Sequence, residues 1–530
     1  MSLPVTPVYC LIALVPVLFL LFTVMALGWG VAKAAPFAMI MAAITSVVFY
    51  RSDISALVFE AGKGLWSAAT ILLVIWPAVF SYEMTCESHG FEAIRDGIQR
   101  ITRHELLQIL ILGWVFPSFL QGITGFGVAV AVGAPLLLSI GVTPFYSIVI
   151  ILLCHCWGAT FGTLALAWEA LVAQAGMSAL QNAQAAFLAA AMLWLFNIIC
   201  VMFCCWLYGR MAALKEIFPV LLILSIIMGG GELLLAPVNS TISFFLPCAA
   251  ALGAAIIICR RAHWKNAWAI KASPIMERKE NSLADNELMN FHHAFLPYYL
   301  LTLITLVCLL CSPVNRLLVK VSIAFSFPRT ATGYGFVTEA VSGYSPVKPL
   351  TYAGTFLALS SLITFCFYRY KGYIRTEDLK NVWRRTVKKC IGSTQAIICL
   401  IVMSKFLSSS GQIHVLSQAI VKLLGTSYVI AAPFFGMLGS FITSSNMSSN
   451  ILLSSLQSTA ANILNINPAV TSALQTVGGV LGDAFAPGCV IMGISTTGYA
   501  GAESRILKHI VPISALFGLA FGLYAFLFMI

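Results

Sequence analysis

The sequence predicts an all-α polytopic integral membrane protein, with about 12 transmembrane helices and two re-entrant helical hairpins in an inverted repeat. Three observations lead there. The 530 residues are 60% hydrophobic and only 9% charged, with a mean hydropathy of +0.94. A soluble chain of this length has too little polar surface to cover so much apolar area. Apolar runs of roughly 18–25 residues recur from end to end, each long enough to cross a hydrocarbon core of about 30 Å. Two further apolar runs, 106–140 and 427–465, are interrupted at their centres by glycines, hydroxyls and amides.

The expected spans lie near 8–27, 32–50, 65–85, 145–170, 184–207, 217–236, 240–258, 295–312, 351–368, 390–410, 467–490 and 507–529. The first run, Tyr9–Leu27, has no basic residue before it, the first Lys being Lys33. It reads as a retained span, not a cleaved signal peptide. The longest polar stretches, Arg260–His293 and Arg369–Lys389, are too short for a soluble domain. The whole of 1–530 therefore reads as a single transmembrane domain. A first repeat (hairpin and broken helix) covers about 106–170, and a second about 427–490.

The two interrupted runs are the informative ones. The first breaks at "SFLQGITGFG" and the second at "SFITSSNMSSN". Glycine and hydroxyl residues there free backbone polar groups, which hydrocarbon does not tolerate. Such backbone survives at membrane depth only inside protein or along a cavity. Both runs are read as hairpins that enter and leave by one face.

Charge supports this. The formal net charge is +11. With twelve spans and two hairpins, about 22 of the 30 Lys and Arg fall on one face, Arg95, Arg210, Arg260, Arg261, Lys265, Arg384, Arg385 and Lys389 among them. About seven fall on the other. The basic face is cytoplasmic by the positive-inside rule, which puts both termini outside. The positive charge thus reports orientation, and no nucleic-acid partner is implied.

The hairpins also resemble each other. Ser118-Phe119 opens one break and Ser440-Phe441 the other. Each run ends at a proline, Pro144 or Pro468. Fourteen residues on stands Gly158 or Gly482, and three further on Phe161 or Phe485. The ordered set reads as an internal repeat. The first hairpin enters from inside and the second from outside, so the repeat is inverted. Its broken elements meet near the midplane, where carriers of this kind bind substrate.

"TSSNMSSN" (443–450) offers hydroxyls and amides over eight residues without a charge. Half-helix N-termini beside it add positive partial charge, which suits a carboxylate. The substrate-binding candidates are Gln121, Gly122, Thr124, Gly125 and Gly127 in the first hairpin. In the second they are Ser444, Ser445, Asn446, Ser448, Ser449 and Asn450. The same oxygens suit a sodium ion, and small residues also serve helix packing. Asp483 and His155 are titratable groups at membrane depth near repeat-related breaks, hence proton-coupling candidates. Glu83, Glu169 and Glu232 are expected at interfaces, and Lys405 to snorkel outward. Glu339 lies in an outer segment, "GYGFVTEAVSGYSP", that is too polar to span and is placed to cover the site.

Almost all of the fifteen cysteines lie in apolar runs, where a thiol acts as a small hydrophobe, and no disulfide framework is implied. "CHCWG" (154–158) lacks a second ligand pair, so no metal is expected. No cofactor is implied either.

These residues resemble the lactate permeases of bacteria. "FLQGITGFGVAVAVGAPLLLSIGVTPFYS" is similar to that family's "EGAAGFGAPVA" region. "LGSFITSSNMSSNILLSSLQSTAANIL" is similar to its "TGSDTSSNALFAALQ" region, and "TVGGVLGDAFAPGCVIMG" and "GAESRILKHIV" continue the likeness. The resemblance is strongest over 106–165 and the last hundred residues, and extends weakly over nearly the whole chain. It implies secondary transport of lactate, glycolate and related 2-hydroxymonocarboxylates, commonly with protons, across the bacterial inner membrane. It also implies kinship with inverted-repeat anion transporters in which one domain moves like an elevator. The implied partners are a small carboxylate, a coupling proton or sodium ion, and the lipid bilayer, with a homodimer left open.

The chain departs from the family pattern at its centre. Gln121 stands where the family usually carries Glu, Asn446 where it usually carries Asp, and Val128-Ala129 where it carries Ala-Pro. Two acids are thus replaced by amides, which bears on the substrate and the coupling ion more than on the fold. Alternatives are a sodium-coupled or exchange-type carrier of another organic or inorganic anion, an anion channel, and an intramembrane enzyme. The last lacks H-E-x-x-H, G-x-S-x-G and Walker A sequences.

Overall fold

The computed structural model describes residues 3–25, 27, 29–124, 127–277, 289–499 and 503–530. The chain is predominantly helical and multi-pass. By length and composition, nine of its described helices can cross a membrane, or up to eleven if two bent pairs each count as one span. The count differs from twelve in several places: the nine include Glu105–Ile123 and Gln412–Thr443, which carry hairpin arms, they omit the expected spans 8–27 and 351–368, and one long element merges two expected spans. Ala179–Leu235 runs 57 residues, which at about 1.5 Å per residue is far longer than one bilayer crossing. It breaks at Gly209–Arg210, where both residues leave helical angles. Beyond the break the chain returns alongside itself, since Trp194 Nε1 donates to Ser225 Oγ at 2.9 Å.

Both interrupted runs fold back on themselves. In the first, Glu105–Ile123 descends and Val128–Ser139 returns. Gly113 faces Leu137, and Gly133 faces Pro117, the pairing of an antiparallel hairpin centred near 125. In the second, Tyr428–Thr443 and Asn446–Ile463 are the arms. Ser449 Oγ donates to the Gly436 carbonyl at 2.9 Å, and Gln457 Nε2 to the Ala432 carbonyl at 2.9 Å. A left-handed residue makes each turn possible, Gly127 (φ 77°) in one and Ser444 (φ 52°) in the other.

A bent helix follows each hairpin. Pro144–His155 passes through a short 3-10 turn into Gly162–Ala175, bent by 53°. Pro468–Asp483 gives way to Pro487–Thr497. Proline stands at the first position of each leading helix, where its missing N–H costs nothing. The packing is reciprocal. The returning arm of the second hairpin lies on Gly162–Ala175, and that of the first on Pro487–Thr497.

A second group of helices stands beside this assembly. Val31–Val48 and Ile54–Glu87 both pack on Thr376–Ser409, and Ala353–Tyr370 packs on Ile54–Glu87. Two short antiparallel strand pairs depart from the all-α expectation. Ile323–Phe327 pairs with Val341–Val347, and Thr330–Ala331 with Val337–Thr338. The larger pair sits on Ile54–Glu87, with Trp66 Nε1 donating to the Ser345 carbonyl at 3.0 Å. Glu339 is exposed there and faces Arg329 at 3.6 Å.

Two of the three acids expected at interfaces, Glu83 and Glu232, are buried by their neighbours. Glu232 is fully buried, with both carboxyl oxygens lacking a partner among the described residues. Glu83 is buried beneath Arg385 and Lys389. Lys63 lies inside Ile54–Glu87 and pairs with Glu60 at 2.5 Å. Glu169 is exposed and accepts from Ser240 Oγ at 2.7 Å. Lys405 reaches the Ala173 carbonyl at 3.5 Å and lies over the Tyr344 ring.

Candidate functional site

A cavity of about 440 Å³ opens where the two hairpin tips and the two bends converge. Gln121, Gly127, Ser444, Ser445, Asn446 and Ser448 line it, as do His155 and Asp483. Eight of the residues singled out from sequence thus meet in one place. They come from four elements spread over more than 350 positions of the chain.

The remaining candidates stand behind the lining. Gly122 is pressed against Phe244 and Phe245. Thr124 Oγ1 donates within its own helix to the Leu120 carbonyl at 2.9 Å. Ser449 binds the Gly436 carbonyl and accepts from Gln475 Nε2 at 3.0 Å. Asn450 Nδ2 donates to the Ala167 carbonyl and to Thr476 Oγ1, both at 3.0 Å. Gly125 lies outside the described residues.

Asn446 does most to assemble the centre. Its Nδ2 lies 3.1 Å from Thr160 Oγ1, 3.2 Å from the Ala159 carbonyl and 3.3 Å from Thr476 Oγ1. Thr160 and Thr476 are themselves joined at 2.9 Å. One amide therefore ties the second hairpin to both bent helices. Its Oδ1, and Gln121 Oε1, are buried acceptors with no partner among the described residues. An unmet acceptor at this depth costs about 1–3 kcal/mol; Asn446 Oδ1 packs against Gly479, whereas Gln121, which lines the cavity, favours a donor brought by a ligand.

The tips also present helix starts. Ser445 Oγ caps Asn446–Ile463 by accepting from Ser448 N at 3.3 Å. Ser444 Oγ accepts from Gly488 N at 3.0 Å, at the start of Pro487–Thr497. The returning arm of the first hairpin begins at Gly127. Gly162–Ala175 opens with Thr163, Leu164 and Ala165 all in left-handed angles, and Thr163 lines the cavity. Such angles cost about 1–2 kcal/mol per residue. Helix starts there add positive partial charge to the volume, against the ends of Phe116–Ile123, Pro144–His155, Tyr428–Thr443 and Pro468–Asp483 that meet at the same place.

Two contacts fix the glycines. A Cβ on Gly162 would lie 2.7 Å from the Gln121 carbonyl, and one on Gly127 2.7 Å from Met492 Sδ. Close approach of bend and tip needs glycine at both.

Of the titratable pair, His155 Nδ1 binds the Ile151 carbonyl at 2.5 Å, which leaves Nε2 as the ring's acceptor. Asp483 Oδ1 lies 3.9 Å from Cys489 Sγ, its polar neighbour among the described residues. In the "CHCWG" stretch, Cys154 Sγ donates to Cys204 Sγ at 3.5 Å.

Sequence reasoning missed one wall. Lys389, Gly392 and Ser393 of Thr376–Ser409 line the cavity, as do Val31 and Ala32. Lys389 stands in a charged run that reads as a loop, and only its position four turns into a helix reveals the role. The Thr160–Thr476 crossing was also invisible, since neither threonine stands out from its apolar neighbours.

Comparison with known proteins bears on this geometry. A model of the family described as L-lactate permease matches residues 9–530. The L-lactate permease of Streptococcus iniae is 26% identical over 470 residues, covering 86% of this chain and 92% of its own length. That of Halalkalibacterium halodurans is 24% identical over 520 residues, covering 97% of this chain and 94% of its own. The glycolate permease GlcA of Escherichia coli (strain K12) is 24% identical over 553 residues, covering 98% and 95%.

Proposed function

The chain belongs to the L-lactate permease family, and on that premise we propose that it is a secondary active transporter for lactate- and glycolate-like 2-hydroxymonocarboxylates. It is a permease and not an enzyme. Its place is the bacterial inner membrane, with both termini outside and protons as the coupling ion.

The observation that carries this reading is the cavity lined by both hairpin tips, whose own polar groups are uncharged and which hold helix starts. A carboxylate accepts hydrogen bonds there from hydroxyls and backbone N–H groups. The substrate's 2-hydroxyl donates to Gln121 Oε1, which otherwise lacks a donor. A carboxylic acid without that hydroxyl leaves the acceptor unmet and is discriminated against. Asp483 lines the same volume and takes up the coupling proton.

The reciprocal packing of returning arms on bent helices supports an inverted repeat. The grouping of Val31–Val48, Ile54–Glu87 and Thr376–Ser409 beside the hairpins supports an elevator-type motion of one group against the other. In that scheme the second hairpin enters from outside, and twelve spans and two hairpins account for the chain.

The experiment is a substrate screen with purified protein in liposomes. Labelled L-lactate, glycolate, propionate and inorganic anions are compared with and without an imposed pH gradient. The reading expects saturable uptake of the 2-hydroxy acids, driven by the gradient. Uptake driven by sodium instead, or only by acid loaded on the opposite face, selects the sodium-coupled or exchange-type carrier.

A further inference from the structure

Lys389 is the only Lys or Arg among the described residues that line the cavity. It does not belong to either hairpin. It stands on Thr376–Ser409, which packs chiefly on Ile54–Glu87 and Val31–Val48. Its Nζ lies 2.5 Å from Glu83 Oε1 and 4.6 Å from the centre of the Tyr82 ring. Its side chain is 53% exposed, whereas Glu83 is 3% exposed. The cation is therefore half in solvent, and its partner carboxylate is not.

Glu83 has a second cation. Arg385 Nε lies 3.0 Å from Glu83 Oε2, and the same guanidinium bonds Glu87. If Lys389 turns away, Glu83 keeps a charged partner, so the departure does not strand a buried carboxylate. A half-exposed ion pair is held weakly and exchanges readily. One turn along the same helix, Gly392 and Ser393 line the cavity. A Cβ on Gly392 would meet only Ala32 Cβ, at 3.7 Å, so the wall between Lys389 and the tips is free of bulk.

We propose that Lys389 is a carboxylate-capture residue at the mouth of the cavity, trading Glu83 for the incoming substrate and releasing it to the hairpin tips. The tips offer amides, hydroxyls and helix starts but no fixed cation, and Asp483 beside them is an acid. Charge compensation for the anion on arrival thus comes from Lys389. A long, flexible ammonium suits transient capture better than a planar, bidentate guanidinium. Because Lys389 stands on the neighbouring helices and not on the hairpins, it serves one face of the membrane only.

This inference rests on reading the chain as a carboxylate carrier. The test measures initial rates of L-lactate flux in liposomes holding protein of one orientation, with KM read separately at each face. Lys389→Gln is expected to raise KM about tenfold at the Lys389 face and leave it unchanged at the other. Lys389→Arg, which keeps the charge, is expected to restore KM to within about threefold of the parent. A purely structural role predicts that Lys389→Gln harms only by stranding Glu83, so that Lys389→Gln with Glu83→Gln returns to the parent KM. Capture predicts that the double variant keeps the raised KM. Unchanged KM in Lys389→Gln, a rise at both faces alike, or recovery in the double variant overturns capture. Absence of lactate flux in the parent protein overturns the carrier reading itself.

Discussion

Asn446 Nδ2 lies 3.1 Å from Thr160 Oγ1, so the tip of the second hairpin is bonded to the bend that follows the first. The two residues stand 286 positions apart in sequence. The bond lies behind the cavity lining, Thr160 being fully buried, and joins the two hairpin-and-bend units. Asn446 is at once a latch and a lining residue, which makes its substitution ambiguous unless stability is measured beside transport.

Asn446→Ala removes a buried donor from three acceptors and is expected to cost about 1–3 kcal/mol of stability along with binding. Gln121→Ala removes an acceptor with no partner among the described residues, so KM for L-lactate is expected to rise about tenfold with little change in melting temperature. Thermal unfolding in detergent and transport in liposomes check the pair. Parent kinetics in both variants would remove the tips from the binding site.

Much of this site was legible before the structure. Glycines and hydroxyls in otherwise apolar runs mark backbone that needs protein around it, which located both tips. Pro144 and Pro468, each followed fourteen residues later by glycine, marked the starts and bends of the broken helices. What stayed hidden is what tertiary packing decides. Lys389 lies in a charged stretch, and only its helix, Thr376–Ser409, turns it toward the cavity. Glu232 looks interfacial by position in its run, yet its neighbours bury it completely. Ser449 and Asn450 share the composition of the tip, but the helix turns them away from the cavity into bonds with Gly436, Ala167 and Thr476.

Asp483→Asn is expected to abolish accumulation driven by a pH gradient while retaining exchange of substrate across the membrane. The carboxyl lines the cavity, and Gln121 and Asn446 cannot carry a proton. Exchange survives because a loaded carrier reorients without changing protonation. Both fluxes are measured in one liposome preparation. Accumulation by Asp483→Asn under a pure pH gradient would pass the role to His155, with His155→Gln as the next variant.

Gly162→Ala places a methyl group 2.7 Å from the Gln121 carbonyl, and backbone cannot yield as a side chain does. The expected result is a loss of about 1–3 kcal/mol in stability and a clear fall in transport, because the bend is pushed from the tip. Gly253→Ala is the control, since a Cβ there meets nothing within 4 Å. Equal behaviour of the two variants would argue against close approach of bend and tip.

Orientation is tested with single cysteines and an impermeant thiol label, in a background lacking reactive thiols. The sites are Thr426, exposed beyond the helix Gln412–Leu424, and Lys271, exposed on the opposing loop. Labelling of Thr426→Cys from outside and Lys271→Cys from inside is expected. Labelling of both from one side would contradict two hairpins in twelve spans.

The proposed carrier binds a 2-hydroxycarboxylate between the hairpin tips and takes it across. Counterflow tests it most directly: liposomes loaded with unlabelled L-lactate are diluted into labelled L-lactate, with no ion gradient imposed. A carrier of this kind gives transient accumulation of label above equilibrium, saturating with external lactate, sustained equally by internal glycolate and weakly by internal propionate. Influx that does not saturate and is indifferent to the internal acid would contradict it, and would mark the cavity as part of a channel.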